Sequence, residues 1–215
     1  MIPVTAIGRA AVVLGLFAAG AALLIAWTWT VTEEDIARSI RQAEARQLLE
    51  IFPPDSHDNS VIDDRFQLAA GTPLLELRTD RDGYRVRQGG EVVGVILPAT
   101  ARDGYSGDIE LLVGITPKGQ VAGARVVAHR ETPGLGDGID LRKSDWILSF
   151  DGQSLRAPIS GMWLVKKDGG SFDQFTGATV TPRAVVAAIR RSLEYQALHK
   201  AALFEIPAGN LETGP

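Results

Sequence analysis

The chain has no cysteine, which excludes disulfides, thiolate zinc sites and cysteine-ligated iron–sulfur clusters. Histidine is nearly as scarce. His57, His129 and His199 are scattered, with no His-x-x-x-His and no carboxylate cluster at ligand spacing, so no metal site is expected. There is no Gly-x-Ser-x-Gly and no Walker loop, which leaves serine hydrolase and P-loop chemistry without support. Charge of one sign is missing too. Acidic and basic residues are interspersed around a net charge of −4, and no basic patch suggests a nucleic-acid partner. The lack of thiols suits either side of a membrane, so the compartment must be read elsewhere.

A length of 215 residues accommodates one domain plus an anchor. Residues 10–30 form an uncharged apolar run of membrane-spanning length, with Arg9 before it and Glu33-Glu34-Asp35 after it. Trp27 and Trp29 stand at its distal end, where amphipathic aromatics favour the membrane–water boundary. Arg9 and the terminal amine favour a cytoplasmic N-terminus over residues 1–9, which puts the remainder outside the cytoplasm. The tryptophan-bearing flank argues against a cleaved signal peptide, and apolarity on every side argues against a core helix.

Thr32 and Asp35 then have capping-box spacing, and Ile36, Ile40, Ala43, Leu48, Leu49, Ile51 and Phe52 follow with helical spacing up to Pro53-Pro54. This predicts a stalk helix and linker over 31–60, followed by a domain over 61–206 and a loose tail over 207–215. Strand texture marks Leu74–Arg78, Gly83–Arg87, Glu91–Leu97, Asp108–Ile115 and Gln120–His129. Asp82-Gly83, Gly89-Gly90 and Pro117–Gly119 read as turns, while Gly114 and Gly123 read as bulges or strand ends. Lys143–Phe150 predicts a short helix, Gly161–Lys167 a last strand or extended segment, and Arg183–Leu198 the final helix. Strands first, with helices that follow no repeating βα period, indicate an α+β fold with an antiparallel sheet. Trp146 and Trp163 are expected in the core.

Two segments carry chemistry. In Asp173-Gln-Phe-Thr176-Gly177-Ala178-Thr179-Val-Thr181-Pro182, a threonine sits on a small-residue turn at the mouth of a helix. Thr181 is the expected N-cap and Pro182 the first helical residue. The free N–H groups and positive dipole end there favour an anion near Thr179. An ordinary capped junction would read the same way. The other segment, Glu131-Thr132-Pro133-Gly134-Leu135-Gly136-Asp137-Gly138, makes a loop whose backbone can approach a flat ligand. Its Gly-x-Gly is not followed by the strand-to-helix context of a dinucleotide fingerprint.

Asp-x-x-Thr-Gly-Ala-Thr resembles the recognition motif of flavin transferase, and Glu-Thr-Pro-Gly-Leu-Gly resembles a signature of an FMN-binding domain. With the rest of the chain, from the anchor to about Leu198, they resemble the G subunits of the Rnf (Rsx) electron transport complex. The C subunit of the sodium-pumping NADH:quinone reductase is a more distant likeness. The resemblance implies a single N-terminal transmembrane helix followed by an antiparallel-sheet FMN-binding domain with flanking helices. It implies covalent FMN, joined through a phosphoester to Thr179, with Thr176, Gly177 and Ala178 beside it. It also implies flavin contacts from Glu131, Thr132, Leu135 and Gly136, from Lys167 in preference to Lys166, and from Tyr105 and Ser106. Asp173 would be read by the transferase during maturation.

The function so implied is electron relay within an ion-translocating ferredoxin/NAD oxidoreductase, a translocase in which this subunit alone is not catalytic. The implied partners are the other subunits, the flavin transferase and the membrane. The implied place is the bacterial inner membrane, single-pass, with the soluble domain periplasmic. An anchored flavin domain serving another redox or regulatory system, or an assembly scaffold that is never flavinylated, would share these features.

Overall fold

The computed structural model describes residues 4–205; the expected tail over 207–215 and residues 1–3 lie outside the described residues, as do the side chains of residues 33–44, Asp35 among them. The first helix, α1, runs Val4–Ile51 without a break. Val12–Trp29 within it is long and apolar enough to cross a membrane, and that stretch contributes nothing to any core. Thr32 does not start a second helix. Its hydroxyl donates back to the Thr28 carbonyl at 2.8 Å, as a mid-helix threonine does. Pro53 and Pro54 follow the last residue of α1 and stop it, since neither has an N–H to continue the ladder.

The chain divides at residue 44 into two compact units, and the second, Ala45–Pro215, contains the sheet. Five strands form one antiparallel meander in sequence order: β1 (Arg65–Leu68), β2 (Arg81–Gln88), β3 (Glu91–Ala101), β4 (Ile109–Ile115) and β5 (Val121–Ala128). The β2–β3 hairpin turns at Gly89 and Gly90, with φ of 61° and 84°, a pair of left-handed residues that only such a sequence tolerates cheaply. Helices α2 (Val180–Leu198) and α3 (Lys200–Phe204) follow, after a segment of short 3-10 turns.

Alternation along the strands fills two cores. On one face Val95, Leu97, Leu111 and Val113 meet Val185, Ile189 and Leu193 of α2, together with Phe150, Trp163 and Phe172. On the other, Tyr84, Val86, Ile96 and Leu112 pack with Leu48, Ile51 and Phe52. Gly94, Gly114 and Gly123 make the second contact possible. A β-carbon on Gly94 or Gly114 would overlap the Phe52 ring or the Ile51 side chain, and one on Gly123 would meet the Ile51 backbone at 3.3 Å. Gly114→Val is therefore expected to lower stability by about 1–3 kcal/mol through overpacking, read as a lower midpoint of urea unfolding.

Two sequence expectations are corrected. Leu74–Arg78 is not a strand. Leu74 and Glu76 take φ of 69° and 53°, while Leu75 and Leu77 are buried, so the apolar alternation reflects burial of a loop rather than strand pairing. Asp82-Gly83 is not a turn. Both residues lie within β2, opposite Gln67 and Phe66, and Gly83 is there because a β-carbon would sit 2.6 Å from the Phe66 ring. Gly161–Lys167, expected as a strand or an extended segment, is not a strand of the sheet: Val165 is extended and bridges Phe172 in parallel, between short 3-10 turns. Of the two tryptophans expected in the core, Trp163 is buried there, whereas Trp146 is half-buried.

Candidate functional site

Antiparallel order brings three chain segments to one end of the sheet. β3 ends at Ala101 opposite Ile109, the first residue of β4, and β5 ends at Ala128 opposite Glu110. The 102–108 connection and the 129–138 loop therefore emerge side by side. The N-terminus of α2 comes to the same place, because its apolar stripe packs on this face of the sheet.

One buried carboxylate joins the three. Glu131, 4% exposed, accepts a hydrogen bond from the Ser106 backbone N–H at 2.9 Å and another from the Thr181 hydroxyl. Its own backbone N–H donates to His129 Nδ1 at 3.1 Å. Gly136 lies against the same group. A β-carbon there would stand 2.8 Å from Thr181 Oγ1 and 2.9 Å from Glu131 Oε2. The 132–136 turn is closed by the N–H groups of Leu135 and Gly136, each donating to the Thr132 carbonyl at 3.1 Å. The Gly134 N–H donates to Asp137 Oδ1 at 2.7 Å.

The helix begins differently from the sequence expectation. Thr179 is the N-cap, with helical φ and ψ of −83° and −27°, and its side chain makes no cap hydrogen bond. Thr181 lies inside the helix with its hydroxyl on Glu131, and Pro182 is the third helical residue, not the first. Before the helix, the Ala178 N–H donates to the Phe175 carbonyl at 3.2 Å, closing a turn through Thr176 and Gly177. Gly177 has φ of 82°, which a residue with a β-carbon would adopt only with strain.

These pieces enclose a cleft of about 240 Å³. It brings together Tyr105, Glu131, Thr132, Leu135, Gly136, Gly177, Ala178 and Thr179, all singled out in the sequence, and adds Val180 and Thr181. Tyr105 and Leu135 are 73% and 49% exposed, so apolar surface stands open at the lip. The remaining sequence-derived positions lie outside the lining. Ser106 contributes its backbone to Glu131 and faces a neighbouring hollow with Asp108, Glu110 and His129. Thr176 is exposed on the turn. The Lys167 N–H donates to Gln174 Oε1 at 3.2 Å, and its side chain is exposed. Asp173 is exposed and pairs with Lys166 at 2.7 Å, and its carbonyl accepts from Trp146 Nε1 at 2.8 Å. The sequence had no local signal for the Glu131–Thr181 contact, which spans fifty positions.

Two ion pairs flank the segments that form the cleft. Asp168 is held below the usual carboxylate range by its hydrogen bonds to Arg183, and Asp140 by those to Arg142. Asp140 also accepts the Arg142 backbone N–H at 2.9 Å, which fixes the chain just after the 132–138 loop. A native-state pKa below the unfolded one means the native state binds fewer protons, so stability rises with pH. This contribution is complete above the ordinary aspartate value of about 3.9 and is lost as pH falls through the lower native value. Asp140→Asn is therefore expected to narrow the stability gap between pH 7 and pH 3, measured by urea unfolding at the two pH values. An unchanged gap would remove Asp140 from the acid sensitivity.

A family model described as the FMN-binding domain matches residues 104–194, which include every residue lining the cleft, and one described as the RnfG N-terminal region matches residues 1–51. The G subunit of the ion-translocating oxidoreductase complex of Pseudomonas aeruginosa is 52% identical over 187 residues, covering 87% of this chain and 87% of that protein. Its counterpart in Shewanella loihica is 45% identical over 195 residues, covering 91% and 92%, and one from Vibrio cholerae is 42% identical over 214 residues, covering 94% and 96%. The crystal structure of Shewanella oneidensis NqrC aligns with 60% of this chain and 63% of that chain at 24% identity and a TM-score of 0.45. With identity of this order across nearly the whole of both chains, the protein belongs to the family of G subunits of ion-translocating oxidoreductase complexes.

Proposed function

We propose that the chain is the anchored electron-transfer subunit of such a complex and carries FMN through a phosphoester to Thr179. One observation carries this reading. Thr179 presents a hydroxyl with no cap hydrogen bond, at the N-terminus of a helix, inside a cleft that combines small and apolar residues (Gly136, Gly177, Ala178, Leu135, Val180) with hydroxyl groups and the buried Glu131. The donor set fits a flavin phosphate. The N–H groups of Val180 and Thr181 belong to the first turn, which has no carbonyl of its own to receive them, and the dipole end favours an anion. The rest of the cleft fits a flat ring. Gly177 leaves room where a side chain would stand, Gly136 lets the Glu131–Thr181 contact form behind the seat, and Leu135, Tyr105 and Thr132 supply contact surface.

FMN supplies the reversible uptake of electrons, and the protein supplies its placement. Thr179 holds the phosphate end, so the cofactor is retained at a lip that opens to bulk solvent. Tyr105 and Leu135 cover part of the ring and leave an edge open for exchange with neighbouring subunits. Glu131, Thr132, Gly136, Ala178 and Gly177 shape the seat. Asp173 faces outward on the acceptor loop, where a flavin transferase reads it before the cofactor is in place, and Thr176 stands on the same loop beside the attachment point. Lys167, at the loop's base, adds positive charge near the site.

Residues 10–30 span the bacterial inner membrane once, Arg9 keeps residues 1–9 cytoplasmic, 31–60 connect, and the flavin domain over 61–206 faces the periplasm. Attachment suits that location, since a cofactor released there would diffuse away.

The test is the denatured mass of the full chain produced with an exported flavin transferase. A gain of one FMN less water, mapped to the peptide spanning Asp173–Thr179, is the expected result. An unmodified mass, with the transferase active on a control substrate, would overturn the covalent assignment.

A further inference from the structure

A phosphoester on Thr179 brings a negative charge that the helix end meets only in part. Of the first three helical residues, Val180, Thr181 and Pro182, only two carry an N–H. We propose that Arg183 binds the phosphate of the group held at Thr179, with Asp168 fixing its guanidinium for that purpose. This assignment rests on the flavin reading above and adds a direct cationic partner for the phosphate, beside the helix end.

Position supports it first. The Arg183 N–H donates to the Thr179 carbonyl at 3.3 Å, so the two residues are one helical turn apart. Side chains at that spacing share a face, with β-carbons about 5–6 Å apart. Val180 lines both the flavin cleft and a second trough along α2 that contains Asp168 and Arg183, so the ion pair borders the cleft.

The geometry of the pair supports it further. Arg183 Nε and Nη2 meet Asp168 Oδ2 and Oδ1 at 2.5 and 2.6 Å, a fork on one edge of the guanidinium. Nη1 takes no part, and the Arg183 side chain is 45% exposed. A guanidinium held on one edge by a carboxylate keeps N–H groups for a second oxyanion and loses little freedom in binding it. The Asp168 carboxyl lies below its usual range, so both partners are charged at neutral pH.

The neighbouring lysines are placed otherwise. Lys166 pairs with Asp173 at 2.7 Å, and Lys167 lines neither the cleft nor the trough beside it that holds Arg183. The Asp168–Arg183 pair also closes the base of the loop that carries Asp173, Thr176 and Thr179, so the cation that meets the phosphate sets the span of the acceptor loop as well.

The experiment separates phosphate recognition from covalent attachment. In the full-length chain carrying Thr179→Ala, where no phosphoester can form, FMN and riboflavin are titrated by flavin fluorescence, with and without Arg183→Gln. The two ligands share the ring and differ in the phosphate. Loss of a charged hydrogen-bond donor is expected to weaken FMN at least about tenfold and to leave riboflavin unchanged. Equal losses for both ligands, or none for FMN, would overturn the proposal.

A second readout uses the flavinylated Thr179 protein. Arg183→Gln should shift the 31P resonance of the phosphodiester, and Arg190→Gln, farther along the same trough, should not. Identical resonances in the two variants would also overturn it. A failure of flavinylation itself, seen in the mass, would count against the covalent reading while the FMN–riboflavin difference still decides the role of Arg183.

Discussion

Thr179→Ala is expected to give a folded protein that carries no covalent flavin at all. Threonine-to-alanine changes at an N-cap ordinarily cost about 1 kcal/mol, because a side-chain hydrogen bond to the helix end is lost. Here the Thr179 side chain makes no such bond. The cost to stability should therefore stay within about 0.5 kcal/mol, the range of an ordinary surface change. The chemical effect is of another order, since the oxygen that would form the ester is gone. Thr179→Ser restores a hydroxyl at the same backbone position and should recover the flavin mass. Thr176→Ala removes a hydroxyl from the same loop but outside the cleft lining, and should still be modified at Thr179. Denatured mass, visible absorbance and urea unfolding of the three variants check these outcomes together. A Thr179→Ala chain that still gains the mass of FMN less water would move the attachment elsewhere. A large loss of stability in that variant would instead give the hydroxyl a structural role.

Much of the site was legible in the sequence because its parts are local. The turn through Gly177, the start of α2 near Pro182 and the glycine-rich loop after Glu131 each announce themselves within a few residues. Their convergence followed from the family likeness, and the physical reason for it is the meander, which brings both loops to one sheet end. What could not be read depends on partners far along the chain. Gly83 looks like half of a turn until the Phe66 ring is seen occupying the space of its missing side chain. Leu74–Arg78 has strand-like alternation, yet its Leu74 carbonyl receives Arg191 Nε at 3.2 Å and its Leu75 carbonyl receives the Thr100 N–H at 2.9 Å. Thr181 has the composition of a cap, but a carboxylate fifty positions away takes its hydroxyl and leaves Thr179 at the helix mouth. The displacement matters for chemistry, because the residue left uncapped is the one proposed to be esterified.

That carboxylate gives the second large effect. Glu131→Ala is expected to lower stability by about 2–4 kcal/mol, since it removes the acceptor from the Thr181 hydroxyl, which is 1% exposed, and from the Ser106 N–H, and leaves a void between them. Each stranded donor alone costs about 1–3 kcal/mol. Glu131→Gln keeps the volume and an oxygen for Ser106. Its amide nitrogen would face Thr181 Oγ1, which can turn from donor to acceptor, so the loss should be nearer about 1 kcal/mol. The two variants thus separate the shape of the junction from its charge.

Because Glu131 joins the 102–108 connection, the 129–138 loop and α2, the alanine variant should also loosen the walls of the cleft without touching Thr179. Faster hydrogen exchange at Ser106, Leu135 and Gly136, with the β3–β4 ladder unchanged, is the expected signature. Wild-type stability and exchange in both variants would mean that the three segments are held by packing alone, and an equal loss in both would assign the effect to the charge of Glu131. A selective loss in the alanine variant would establish Glu131 as the group that sets the cleft's width, acting on the flavin through Thr181 and the 102–108 connection.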